Sequence, residues 1–177
     1  MKKFLSALYL AVAVAVAPAI MAVPHAVAQE AEALQAMEAD IEALLIANAD
    51  DPDAFAAAVE EYLLAAGDPE LAADAVINVL TSPKSEAAQI ALSNNPGLKD
   101  AGGRGLGAAV AQIGLANPTA AANIQAKVEA SGDTSLQASV TQGNTERTAT
   151  IQQQQQQQQG STTENQDSTP ETPVSPN

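Results

Sequence analysis

Apolar residues recur at helical spacing through the middle of the chain, from Glu30 to about Ala130, and no alternating run of β-branched residues interrupts them. The first stretch places one apolar stripe along Leu34, Met37, Ile41, Leu44, Leu45 and, at its end, Asn48. The acids between them are Glu32, Glu38, Asp40 and Glu42. A single apolar stripe is typical of an amphipathic helix that packs on one side. We therefore expect an all-α domain whose first helix has about four turns and exposes most of its acids to water.

A capping residue followed by proline recurs along the same region. The pairs are Asp51-Pro52, Asp68-Pro69, Ser82-Pro83, Asn95-Pro96 and Asn117-Pro118. The side-chain oxygen accepts a hydrogen bond from a free N–H of the first helical turn, and proline fits the first helical position because it lacks a donor that would be unpaired there. These pairs predict helix starts, except that Gly97, Gly102 and Gly103 favour a loop after Pro96. The predicted fold is a small bundle or short stack of five to six short, alanine-rich helices.

The composition changes after Ala130. Residues 131–177 are mostly Ser, Thr, Gln, Asn, Gly and Pro, with few large apolar residues and an uninterrupted glutamine run from Gln152 to Gln159. Such a segment buries too little apolar surface to offset the entropy of ordering, so we expect a disordered C-terminal tail. The chain is thus divided into a signal peptide at 1–28, a helical domain at 29–130 and a tail at 131–177.

The N-terminus has the pattern of a secretory signal peptide. Two lysines at positions 2 and 3 precede an apolar stretch from Phe4 to Met21, and the small residues Ala26 and Ala28 precede Gln29. This pattern predicts cleavage between Ala28 and Gln29 and a periplasmic or secreted bacterial protein. The alternative is an uncleaved anchor helix, because the apolar stretch approaches the ~20 residues that span a bilayer.

The composition excludes several chemistries. The chain has no cysteine, is only 2% aromatic and carries a formal net charge of -14. Its single histidine, His25, lies within the predicted signal peptide, so the mature chain offers no His or Cys as metal ligand, neutral-pH base or nucleophile. We therefore expect no enzyme activity and no cofactor. The acidic charge disfavours nucleic acid and anionic membranes, which leaves protein partners, with self-association also open.

Three local motifs resemble known sites but lack the required context. Gly103–Ala108 matches the G-x-G-x-x-A pattern of dinucleotide-binding folds, yet no buried strand precedes it. The acids between Asn48 and Asp53 lack the glycine and the final bidentate acid of a calcium loop. The neighbouring carboxylates Glu60 and Glu61 diverge by about 100° on a helix and cannot face one substrate.

Small residues recur on the helix that contains Leu106. Gly107, Ala111 and Gly114 leave a shallow surface that allows another helix to approach closely. We therefore predict that these three residues form a helix-packing or partner surface.

Two fragments of the predicted tail resemble curlin-type amyloid repeats. They are Ala138–Asn144 and Ala149–Gln152, which lie within a span of about 15 residues and in which apolar residues alternate beside Gln and Asn. The resemblance implies a hairpin and side-chain ladders in an assembly, but the spacing of Asn and Gly departs from the family's repeat. We therefore do not transfer the family's function.

Two hypotheses for function follow. The first is an exported, non-catalytic interaction or adaptor protein of the bacterial envelope that presents a helix face to a partner. The second is a structural or assembly component of the envelope or extracellular matrix, in which the glutamine-rich segment mediates association.

Overall fold

The computed structural model describes residues 22–163 and, among them, the side chains of residues 28–158. This part of the chain forms seven helices and contains no strand. The helices are α1 (Ala22–Ala47), α2 (Pro52–Ala65), α3 (Pro69–Thr81), α4 (Glu86–Asn94), α5 (Gly97–Ala116), α6 (Pro118–Ala130) and α7 (Thr134–Thr163). The predicted all-α class is confirmed, with one helix more than expected.

Three of the predicted cap-proline pairs start helices. The Asp51 carboxylate accepts from the Ala54 N–H at 3.0 Å, and the Asp68 carboxylate accepts from two N–H groups of α3 at 3.1 Å. The Asn117 side chain accepts from the Ala120 N–H at 3.1 Å. Each proline occupies the first turn, where its missing donor costs no hydrogen bond.

The other two pairs behave differently. Ser82 follows the end of α3, and α4 begins only at Glu86, where the Ser85 hydroxyl accepts from the Ala88 N–H at 3.2 Å. At Asn95-Pro96 the expected loop is wrong, because α5 begins at Gly97 and continues without interruption. The Asn95 amide donates instead to the Ala49 carbonyl at 3.1 Å. Glycine costs about 1 kcal/mol in a helix, and the packing of α5 between neighbours outweighs that cost.

Two pairs of neighbouring helices run parallel. Helix α5 packs against both α2 and α7. Contacts that advance in the same direction on both partners, Asp53 to Arg104 and Glu60 to Gln112, show that α2 and α5 are parallel. Helices α3 and α6 are also parallel, as the pairs from Glu70 to Asn123 and from Asp74 to Lys127 show. The fold therefore differs from an up-down bundle, in which adjacent helices are antiparallel.

All seven helices contribute buried residues to one core. Its largest fully buried side chains come from six of the helices and include Ile41, Phe55, Val79, Leu106, Ile124 and Leu136. The fold buries many alanines beside them, which lets helix backbones approach closely. The core thus reaches beyond Ala130 into α7.

Helix α7 corrects the predicted domain boundary. Residues 134–163 are helical, whereas we expected disorder from Ser131 onward, and Leu136 and Val140 are buried against the body. Both fragments that resemble amyloid repeats lie inside this helix, so they form no hairpin here. Within the described residues, the opposite side of α7 is exposed at Ala138, Thr141, Gln142 and Thr145, so one narrow apolar stripe is enough to hold it against the body. Residues 164–177 of the predicted tail lie outside the described residues.

Helix α1 corrects the expected exposure of its acids. Glu38 is only 4% exposed; it accepts from the Asn78 amide at 2.9 Å and pairs with Lys84. Glu42 is half-buried and accepts from the backbone N–H groups of Lys84 at 2.6 Å and Ser85 at 3.0 Å. The two carboxylates therefore hold the α3–α4 connection against α1, a contact across 40 residues of sequence or more that helical spacing alone does not reveal.

Candidate interaction surface

One residue of the predicted small-residue surface, Gly107, lies in an internal seam. Gly107 is buried, and a Cβ at that position would collide with the Val140 carbonyl of α7. Gly143 of α7 approaches the backbone of Arg104 in the same way. The helix that approaches Gly107 closely is thus α7 of the same chain, which leaves this glycine inaccessible to a partner.

The other two residues of that prediction remain partly accessible. Ala111 and Gly114 are half-buried. A Cβ on Gly114 would lie 3.6 Å from the Cβ of Ala121, an ordinary contact with α6. The structure therefore separates the three residues: one lies beneath α7, and two lie near the end of α5.

A groove of ≈ 260 Å³ runs over α5 between α2 and α7. Its floor is made of small residues, among them Ala56, Gly105 and Gly143. Gly105 allows α2 and α5 to approach closely beneath the groove, because a Cβ there would collide with the Ala56 carbonyl. Charged side chains from all three helices line the walls: Asp53, Glu60, Arg104, Glu146 and Arg147.

Two ion pairs cross this groove. Arg147 of α7 pairs with Glu60 of α2, and the same Glu60 oxygen accepts from the Gln112 amide of α5. The Arg147 Nε atom is buried and has no hydrogen-bond partner within the described residues. Arg104 Nη2 lies 3.2 Å from an oxygen of Asp53, whose side chain is 90% exposed. The first pair ties three helices together, whereas the second contributes little to stability because it is open to solvent.

Two exposed leucines lie on α2 and α5, C-terminal to the residues that line the groove. Leu64 is 43% exposed and follows Glu60 by one helical turn on α2. Leu115 is 68% exposed and follows Ala108 by two turns on α5. Because residues at this spacing lie on one side of a helix, both leucines continue the lines that border the groove. The surface therefore combines a small-residue floor, charged walls and an apolar end.

Asp133 holds the N-terminal end of α7. This carboxylate pairs with Lys99 of α5 and accepts from the Leu136 N–H at 3.0 Å, so it also caps α7. The hydrogen bond from Lys99 and that from the Leu136 backbone hold the pKa of Asp133 below its ordinary value, against the opposing effect of burial. The carboxylate is thus stabilised in its charged form where α7 joins the body.

A second perturbed carboxylate lies on α1. Burial alone would raise the pKa of Glu42, but hydrogen bonds from Ser85 and the Lys84 backbone, together with the Lys84 charge, outweigh it and lower the pKa. Its role is to anchor the α3–α4 loop.

Tyr62 on α2 also has a shifted pKa. Burial, together with the charge of Asp40, raises the pKa of its phenol.

The other motifs singled out in the sequence have structural roles. Gly103–Ala108 lies within α5 and is not a phosphate-binding loop. Asp51 caps α2, and within the described residues no group of three His, Cys, Asp or Glu side chains could hold a metal ion. Glu60 lies in the groove while Glu61 is exposed to solvent, so the two do not face one substrate.

All lysines and arginines between residues 28 and 158 are paired. The five pairs are Lys84–Glu38, Lys99–Asp133, Arg104–Asp53, Lys127–Asp74 and Arg147–Glu60. Every other acidic side chain in this range has no lysine or arginine within 4.0 Å. The exposed charge of this region is therefore strongly negative, with no cation left free in it.

The residues of the predicted signal cleavage site lie at the start of α1. Ala26, Ala28 and Gln29 are helical, and the side chains of residues 28–32 are all exposed. Residues 1–21, which hold the basic and apolar parts of the predicted signal peptide, lie outside the described residues. From residue 22 to residue 163, no helix combines the length and hydropathy needed to cross a membrane.

Sequence reasoning missed the groove and the two arginines that line it. One signal was available: cations are so few that each was a candidate for a long-range ion pair, Arg147 included. Which acid each would meet depends on the stacking of the helices. No protein-family model, curated protein or solved structure matches this chain.

Proposed function

We propose that the protein is an exported, non-catalytic interaction protein of the bacterial envelope that binds a protein partner through its folded helices. The groove between α2, α5 and α7 carries this proposal, because three helices supply its small-residue floor and charged walls, and exposed leucines of α2 and α5 follow on the same sides of those helices. Protein-binding surfaces combine apolar anchors with a polar rim in this way. The proposed binding surface is therefore this groove, and not the surface at Gly107.

The charge distribution indicates the chemistry of the partner. Every cation of residues 28–158 is engaged within the chain, whereas many acids are not. Complementary charge steers association and sets specificity, so the partner is a basic protein. Salt screens such contacts, and the Debye length falls to ~3 Å at about 1 M salt.

Capture experiments with the mature protein test this proposal. We expect a basic protein from a bacterial envelope extract to bind at low salt and to be released at about 1 M salt. Leu115→Ser should reduce capture, because it removes an apolar side chain beyond the end of the groove without changing the charge. Ile90→Ser is the matched control, since Ile90 is also a large exposed residue, 52% accessible, but lies on α4.

Two outcomes would contradict the proposal. Binding that persists at high salt would argue against a basic partner. Equal capture by Leu115→Ser and the unmodified protein, with loss in Ile90→Ser, would mean that the partner binds at α4 instead of the groove.

A second candidate function is assembly through the glutamine run. The side chains of residues 152–158 are exposed on α7, beyond the buried contacts of Leu136 and Val140 with the body. Glutamine side chains can form ladders between chains. This observation supports a structural or matrix component as the alternative, which sedimentation can distinguish.

A further inference from the structure

Residues 28–32 of α1 are exposed to solvent. The Gln29 side chain makes no hydrogen bond within the described residues. The next residues, 33 and 34, are half-buried, so contact with the body starts there. Gln29 is therefore accessible and unrestrained.

We propose that Gln29, once it becomes the N-terminal residue, cyclises to pyroglutamate. This inference rests on the proposed export and cleavage between Ala28 and Gln29. The freed α-amino nitrogen attacks Cδ of its own side chain and forms a five-membered lactam. The bond from Cδ to Nε2 breaks, and ammonia leaves with the proton released by the amine. No oxidant or other reactant is required.

The helix dipole at the start of α1 favours the neutral product, although Glu30 and Glu32 beside it attract an α-ammonium group. In the mature chain Gln29 begins α1, and Glu30 and Glu32 fall in its first turn. Negative side chains suit the positive end of a helix dipole, whereas an α-ammonium group opposes it. Cyclisation removes that positive charge, as other N-terminal capping modifications do. The mature protein then carries no cation between its N-terminus and Lys84.

Mass spectrometry and N-terminal sequencing test the modification. The full-length chain is exported from a bacterial host, purified by a C-terminal tag and held at neutral pH. We expect a mass about 17 Da below that of a chain starting at unmodified Gln29, together with a blocked N-terminus. Treatment with a pyroglutamate-removing aminopeptidase should then restore sequencing from Glu30.

Two variants serve as controls. Gln29→Ala keeps both alanines of the cleavage site but has no side-chain amide, so it should yield an open N-terminus. Gln29→Glu should also stay open, because attack on a carboxylate would have to expel an oxygen leaving group, which is slow at neutral pH. A chain that begins at Gln29 and keeps its free amine would overturn the cyclisation alone. A chain that begins at another residue would overturn the proposed cleavage and the modification with it.

Discussion

At the residue scale, the packing of α5 depends on the absence of single Cβ atoms. A methyl group on Gly107 would meet the Val140 carbonyl and lie 2.8 Å from the Asn144 nitrogen, both of which are backbone atoms that cannot turn aside. We expect Gly107→Ala to destabilise the fold by about 1–3 kcal/mol, as overpacked cores do, despite the gain in helix propensity. Urea unfolding followed by circular dichroism measures this change.

Gly114→Ala is the matched control on the same helix. Its added methyl would make only an ordinary contact with Ala121, so it should stabilise the protein by roughly 0.5–1 kcal/mol. If both variants moved the unfolding midpoint in the same direction, the seam between α5 and α7 would not be as close as the structure shows.

A second residue-scale prediction concerns Asp133 and pH. Its pKa is lower in the folded state than in the unfolded chain, so its stabilising contribution is present above the unfolded value, about 3.9, and is lost as pH falls through the folded value. Asp133→Asn should therefore lose less stability than the unmodified protein between pH 5 and pH 2. Unfolding midpoints across this range provide the measurement. Asp50→Asn, which changes an exposed acid without a lysine or arginine partner, should follow the unmodified protein.

At the element scale, α7 belongs to the folded domain. It buries Leu136 and Val140, and burial of such side chains contributes about 1.5–3 kcal/mol each. A chain that ends at Ala130 should therefore have a free energy of unfolding lower by several kcal/mol and should unfold less cooperatively. A chain that ends at Gln152 should keep both its stability and its cooperativity. Thermal unfolding of the two truncated proteins distinguishes these outcomes. Equal stability would restore the predicted boundary at Ala130.

The helices also show which features of the fold sequence can predict. Caps are local, so Asp51, Asp68 and Asn117 could be recognised from the residues beside them. Helix α7 could not be predicted in this way, because its order depends on close contact with glycines of α5, such as Gly103 and Gly107, that are distant in sequence. For the same reason the groove was not predictable, since its walls come from three helices. Sequence rules estimate what a segment can bury alone, and α7 buries its stripe only against α5.

The pair of Arg147 and Glu60 couples α7 to α2. Their side chains are 33% and 17% exposed, so solvent weakens the interaction below that of a fully buried pair. We expect Arg147→Ala and Glu60→Ala each to cost about 1–2 kcal/mol, and the double variant to cost less than their sum. A double-mutant cycle in urea measures this coupling. Additive losses would mean that the two side chains do not interact in solution.

At the scale of the whole molecule, the excess of acids makes copies of the chain repel one another. The formal net charge is -14, and the cations of residues 28–158 are all engaged in internal pairs. Repulsion of this kind keeps a protein soluble and monomeric, and salt weakens it. Association through glutamine side chains must therefore overcome this repulsion, whereas a basic partner benefits from the same charge.

Sedimentation velocity separates these two forms of association. For an interaction protein, the full mature chain and the chain that ends at Gln152 should both sediment as monomers, and both should bind the basic partner through the groove. For a matrix component, only the chain with the complete glutamine run should form larger species, and added salt should enlarge them because it screens repulsion between acidic bodies. Truncation at Gln152 leaves the buried stripe of α7 intact, so a loss of assembly there is attributable to the removed segment and not to unfolding.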